Sequence, residues 1–263
     1  MFTNNLDPVL IDFGFMAIRW YSLAYIAGIL IGWWLGKKII FKRFLYTYQQ
    51  FDLKEFDDLI THLIISIIVG GRAGYIIFYN FGYYISNPQD IIKIWEGGMS
   101  FHGALIGIII GTYLFSIKRK ISPFFLLDVI ACVAPVGIFF GRIANFINGE
   151  LIGKATDVSW SVIFPAIDMQ PRHPSQLYEA FLEGIILFFI LNTLIIKKNY
   201  KNGTCSCIFL IGYGFFRIIS EFYREPDSQL GYIFDLFSMG SILSFLMILT
   251  GMMLFAFVKK NEI

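Results

Sequence analysis

The side chains with the most chemistry to offer are arginines and carboxylates that interrupt or border long apolar runs. Residues 141–150 read Gly-Arg-Ile-Ala-Asn-Phe-Ile-Asn-Gly-Glu, placing Arg142, Asn145, Asn148 and Glu150 where an apolar segment is expected to end. A charge within or at the edge of a membrane is expensive, so an arginine there is by default a functional-site candidate. A second group is Tyr213, Arg217, Glu221 and Arg224, at i, i+4, i+8 and i+11. That spacing puts all four on one narrow face of a helix. Two readings of the stripe stand together. Arg217 and Glu221 form a structural ion pair between helices, since buried charges are normally paired; or the stripe binds an anion. The second takes precedence because the pair leaves another arginine and a phenol on the same face.

His102, within Gly-Gly-Met-Ser-Phe-His-Gly at 97–103, is a candidate general base because its unperturbed pKa lies near neutrality. The alternative is a hydrogen-bonded residue at a helix start. His62 is read as structural. His173 opens a helix entrance with Pro174 in the first turn and Ser175 as its cap, while Arg172 and Tyr178 stand at the mouth of the site. Arg72 is set among Gly70, Gly71, Ala73 and Gly74 and has three readings: a bridge to Asp128, a bridge to Glu221, or part of the anion site. Glu150 is either a ligand group or the neutralising partner of Arg142. Zinc-type ligand spacing, an enzyme nucleophile of the Gly-x-Ser-x-Gly kind and a Walker phosphate loop are absent from the sequence. Cys132, Cys205 and Cys207 are expected to be ordinary small apolar residues. No metal and no cofactor is expected. The remaining chemistry is an arginine-rich anion-binding site suited to a phospholipid headgroup.

The elements that must hold these groups follow from composition. Apolar residues make up 57% of the 263 and only 15% are charged, far from the balance of a soluble domain. At about 20 apolar residues per crossing, seven spans are expected, near 18–36, 59–80, 99–117, 124–140, 176–196, 205–223 and 233–258. The fold class is thus an all-α integral membrane bundle in one polytopic domain, 1–263, with residues 141–173 as an outer loop between helices four and five. Thirteen of the 21 basic residues follow spans one, three, five and seven, which assigns those ends to the cytoplasm. The N-terminus is then periplasmic and the C-terminus cytoplasmic. Residues 1–15 hold no Lys or Arg and so lack the basic start of a signal peptide. Eleven of the thirteen cytoplasmic residues are lysine, while six of the other eight are arginine, whose rigid fork suits phosphate or carboxylate.

Residues 141–150 closely resemble the signature of the prolipoprotein diacylglyceryl transferases of the bacterial plasma membrane. The resemblance extends over 97–103, 172–179, 212–227 and Arg19-Trp20-Tyr21, in the family's order. It departs in the short outer segment between Gly153 and Arg172, where some members carry a longer insertion, which bears on peptide docking. The resemblance implies transfer of diacylglyceryl from phosphatidylglycerol to the lipobox cysteine thiol of a prolipoprotein, releasing glycerol 1-phosphate. It implies Arg142 and Arg217 at the phosphate and His102 at the thiol. Tyr21, Asn145, Glu150, Gly153, Tyr213, Glu221 and Arg224 match positions for lipid placement or support. A transporter of anionic lipid or organic anion would use the same arginines, but should show repeated halves or a polar path through the cytoplasmic half. A scaffold whose charges only join helices is the third reading.

Overall fold

Backbone groups surrounded by lipid have no water to bond, so long apolar stretches satisfy them within helices. The computed structural model describes residues 2–14, 17–44, 53–94, 97–197, 201–226, 232–233 and 237–260. In chain order the helices are α1 (Trp20–Phe44), α2 (Leu53–Tyr79), α3 (Phe81–Ser86), a 3₁₀ turn (Pro88–Ile92), α4 (Phe101–Arg119) and α5 (Pro123–Asn148). Then come α6 (Ser175–Glu179), a π-helical segment (Ala180–Ile186) and α7 (Leu187–Ile195), which run on as one span, followed by α8 (Thr204–Glu221) and α9 (Met239–Lys260). Among the described residues, six helices are long and apolar enough to cross a membrane: Trp20–Lys42, Leu53–Ile77, Pro123–Asn148, Ser175–Ile195, Thr204–Glu221 and Gly240–Lys260. The 19-residue α4 lies over the remaining expected segment. The chain is an all-α integral membrane protein.

Two compact units share the chain, Met1–Arg43 with Asp128–Ile263, and Phe44–Leu127. In the second unit α2 and α4 meet backbone to backbone. A Cβ on Gly74 would lie 2.6 Å from the Gly103 Cα, and one on Gly107 would lie 2.3 Å from the Ser66 carbonyl. Glycines there allow an approach that any side chain would prevent. Beside that contact α4 exposes Ile106, Ile110, Leu114 and Ile117, an apolar face of the kind that lipid covers. His62 sits against Phe115, ring centroids 5.9 Å apart, as a packing residue.

In the first unit, Gly28 of α1 faces Gly137 of α5, and Gly214 of α8 faces the Ser244 carbonyl of α9. Asp128 on α5 accepts from the backbone amides of Gly203 and Ser206 and from the Ser206 hydroxyl, capping α8 from a neighbouring helix. All three cysteines are buried among these helices.

The helix α5 continues to Asn148, past the expected end at 140. Ile143, Ala144 and Ile147 keep the helical apolar spacing, and Arg142 and Asn145 share one face. The stop is Gly149, whose φ of +67° is the left-handed conformation that ends helices. The arginine marks a polar face of the helix, not its end.

Small strands gather beyond that stop. The strands β1 (Phe2–Thr3), β4 (Val162–Ile163) and β5 (Pro171–Arg172) form one sheet in the order β1-β4-β5, parallel then antiparallel. A hairpin joins β2 (Val9–Asp12) to β3 (Ala17–Arg19), and β6 (Tyr232–Ile233) pairs with β7 (Phe237–Ser238). Ile152, Val162 and Phe164 form a small core under the first sheet, with Phe146 of α5 packed on it.

Candidate functional site

Three elements of the first unit bring six charged groups together. The last turns of α5 supply Arg142, the start of the 175–195 span supplies Glu179 and Glu183, and α8 supplies Arg217 and Glu221, with Arg224 just beyond its end. Arg142 places Nη1 3.0 Å from Glu179 Oε2 and Nη2 3.1 Å from Glu183 Oε2. Arg217 bonds Glu179 Oε1 through Nη1, and its Nη2 lies 2.5 Å from Glu221 Oε1. Arg224 Nη1 lies 3.5 Å from Glu179 Oε1 and 3.8 Å from Glu221 Oε1. Three guanidinium groups against three carboxylates leave a formal charge of 3 − 3 = 0. That balance is what permits ions to be buried at all.

The balance is not symmetrical in space. The Glu179 and Glu183 side chains are 0% exposed, whereas those of Arg142 and Arg217 retain 15% and 11%. Arg142 and Arg217 thus keep more exposure than the two carboxylates that pair with them. The Tyr213 phenol, four residues before Arg217 on the same helix face, interacts electrostatically with Arg142, Arg217, Glu179 and Glu183.

Local structure explains how these groups meet. Gly184 lets the π-helical segment touch α5, since a Cβ there would lie 2.8 Å from that of Phe139, three residues before Arg142. Wide π-helical turns occur frequently at functional sites. Gly240 at the start of α9 packs directly on the Glu221 carboxylate, and Ser238 donates to Glu221 Oε2 at 2.8 Å. Gly153 bridges to Arg224, and Arg172 Nη1 donates to its carbonyl at 3.0 Å. A Cβ at Gly153 would lie 2.2 Å from the His173 carbonyl.

Several expectations are revised. Glu150 does not neutralise Arg142: it accepts from Asn145 Nδ2 at 3.0 Å and Asn148 Nδ2 at 3.3 Å, tying off the end of α5. Arg72 donates to backbone carbonyls of its own unit, those of Asp90, Ile91, Gly97 and Gly98. Ser175 does not cap a helix, because its hydroxyl donates to the Leu151 carbonyl at 3.0 Å. Tyr21 lies against Tyr25, ring centroids 5.1 Å apart. His102 stands in the first turn of α4, in the second unit. Glu179 and Glu183 were not singled out from the sequence. Two carboxylates four residues apart in an otherwise apolar span were the available signal.

A second ion cluster lies nearby in the same unit. Arg172 Nη2 is 2.5 Å from Asp168 Oδ2, and its Nη1 is 3.2 Å from Glu225 Oε2. The Arg172 hydrogen bond holds the Asp168 carboxyl below its ordinary pKa, and Asp168 in turn raises that of Arg172. Trp160 Nε1 donates to the Tyr178 hydroxyl at 2.7 Å, and that hydroxyl shares a hydrogen bond with His173 Nδ1 at 3.2 Å. Burial lowers the His173 pKa, favouring the neutral ring. Among the described residues, no group of three or more His, Cys, Asp or Glu is placed to hold a metal ion.

An all-helical membrane chain with a buried arginine–glutamate network between its spans defines a class: integral membrane proteins that hold a charge-paired cluster among apolar helices. Comparison makes this specific. Residues 8–257 match the family model described as prolipoprotein diacylglyceryl transferase, and the chain belongs to that family. It is 51% identical over 252 residues to a phosphatidylglycerol–prolipoprotein diacylglyceryl transferase of Rickettsia bellii (strain OSU 85-389), covering 95% of this chain and 94% of that one. Similar relatives of the same description occur in Rickettsia felis, 52% identical over 94% of this chain and 95% of that one, and in Rickettsia typhi, 51% identical over 95% and 96%.

Proposed function

We propose that this chain transfers the diacylglyceryl group of phosphatidylglycerol to the lipobox cysteine thiol of a prolipoprotein, the first step of lipoprotein maturation. The substrate sulfur attacks the glyceryl carbon that carries the phosphate ester. A sulfur–carbon bond forms, the carbon–oxygen bond breaks, and glycerol 1-phosphate departs with the bonding electrons. Charge grows on the leaving phosphate, so the largest catalytic demand is a fixed cationic face.

The observation that carries this reading is the arrangement of Arg142 and Arg217, whose side chains keep 15% and 11% exposure while Glu179 and Glu183 stay fully enclosed. Each fork offers paired donors to phosphate oxygens, and the carboxylates behind hold the forks in place. Tyr213, Glu221 and Arg224 support that face, while Asn145, Glu150 and Gly153 shape its border and Tyr21 lines the lipid approach. His102 is assigned to the thiol proton, because a thiol with a pKa of about 8.5 is mostly protonated at neutral pH.

The placement of lysine-rich ends supports a multi-pass chain in the plasma membrane with the N-terminus periplasmic and the C-terminus cytoplasmic. In that orientation residues 141–173, the end of α5 and the small sheet beyond it, lie on the periplasmic side of a single polytopic domain. The partners are phosphatidylglycerol, the lipobox region of an exported prolipoprotein and the bilayer itself.

The test is mass spectrometry of a lipobox-cysteine peptide incubated with purified protein and phosphatidylglycerol. A diacylglyceryl increment on the cysteine is expected. Its absence, from folded protein beside an active relative, would sink the reading and favour anionic-lipid transport.

A further inference from the structure

We infer that Arg72 is a positioning residue that fixes the turn ahead of α4 and so sets the helix turn carrying His102; the inference rests on the assignment of His102 to the thiol. Arg72 is 6% exposed, in the last third of α2. Its Nε donates to the Ile91 carbonyl at 2.8 Å and Nη2 to the Asp90 carbonyl at 2.6 Å. Nη1 donates to Gly97 at 2.6 Å and to Gly98 at 3.2 Å. The Tyr84 ring covers the guanidinium at 5.0 Å. The Asp90 carboxylate is engaged elsewhere, by Lys93 at 2.7 Å and Tyr83 at 2.6 Å.

A guanidinium has five N–H donors, and these four bonds leave at most one for a ligand. Arg72 is therefore poorly suited to hold a phosphate and well suited to gather a backbone. Gly97 and Gly98 have φ of +89° and +78°, a left-handed pair that turns two successive carbonyls toward one nitrogen. A Cβ on Gly98 would lie 2.6 Å from the Tyr75 ring and 2.9 Å from Arg72 Nη1. Two residues further on, the Ser100 amide donates to the Gly71 carbonyl at 2.9 Å, and its hydroxyl accepts from Gly103 N at 3.2 Å as the N-cap of α4. Adjacent residues of α2 thus grip both sides of the Met99 position, and the first turn of α4 begins from that clamp. A lysine at 72 would keep the charge but not the fork, and could not serve four carbonyls at once.

The experiment uses full-length protein in detergent micelles. In Arg72→Lys, backbone hydrogen exchange at residues 97–104 is expected to accelerate by at least tenfold while α5 and α8 keep parental rates. Turnover of phosphatidylglycerol with a lipobox peptide should fall roughly 10- to 100-fold in kcat, the scale of a small misplacement near the chemistry, with KM for lipid unchanged. The double variant Arg72→Lys with His102→Gln should be no slower than His102→Gln alone. Parental exchange at 97–104, or losses that multiply in the double variant, would overturn the inference. If Arg72→Lys does not accumulate, Gly98→Ala disturbs the same clamp from the other side and must give the same pattern. If His102→Gln alone turns over normally, the thiol assignment has failed, and the exchange result decides whether Arg72 still holds the turn.

Discussion

Both oxygens of Glu179 face guanidinium groups: Oε1 pairs with Arg217 and Arg224, and Oε2 lies 3.0 Å from Arg142 Nη1 as an ion contact without a hydrogen bond. In Glu179→Gln one oxygen becomes an NH2 donor, and any orientation of the amide turns that donor toward a guanidinium. The cluster also moves from 3 − 3 = 0 to 3 − 2 = +1 around a side chain that is 0% exposed. Removing one partner from a buried ion network costs about 3–5 kcal/mol. Each kcal/mol lowers the unfolding midpoint of a chain this size by about 2–4 °C, so a drop of roughly 6–20 °C is expected. Fluorescence-monitored thermal unfolding in micelles reads it, with the exposed Asp157→Asn as reference. Turnover should fall as well, because Arg142 and Arg217 lose the group that sets their spacing. A midpoint within about 2 °C of the parent, near the effect of an ordinary surface change, would refute the idea that one carboxylate organises all three arginines.

Arg142→Ala is expected to lose about 10²- to 10³-fold in kcat per inserted, folded molecule, the usual scale for removing a group that stabilises developing charge; normal turnover would exclude Arg142 from the phosphate. Gly153→Ala forces a methyl against the carbonyls of His173 and Tyr223, at 2.2 and 2.8 Å. A loss of about 1–3 kcal/mol is expected, read as a lower midpoint, and parental stability would contradict that close approach. The folded pKa of Asp168 is depressed by Arg172, so its stabilisation is fully present above the ordinary aspartate value of about 3.9 and is lost as pH falls through the lower folded value. Acid titration of a variant keeping only Trp160 should show that segment loosening, and Asp168→Asn should remove this step; an identical titration in both would count against the pair.

Much of this architecture was legible because it depends on long-period patterns. Hydropathy located the spans, and the i, i+4 spacing paired Arg217 with Glu221, found 2.5 Å apart. What escaped was decided by neighbours in space. Arg142 and Glu183 are 41 positions apart, and no local pattern links an arginine on one span to carboxylates on the next. Arg72 was ambiguous for a related reason, since its partners are main-chain carbonyls, which every residue carries. The end of α5 was misplaced because a charged residue was read as a boundary. Gly149, with its positive φ, was the true terminator.

The sequence separation of Arg142 from its carboxylates also has a consequence for how the protein is made. Arg142 leaves the ribosome 41 residues ahead of Glu183, which at about 5–20 residues per second is a wait of roughly 2–8 s. Throughout that interval α5 carries a cation that its own helix cannot neutralise, at a cost of about 2.5–3.5 kcal/mol were it held mid-membrane. The arriving 175–195 span brings two anions that are equally unwelcome alone. Each is the other's permit to settle, so the two spans are expected to complete insertion as a pair, and the pocket is assembled in the act of biogenesis.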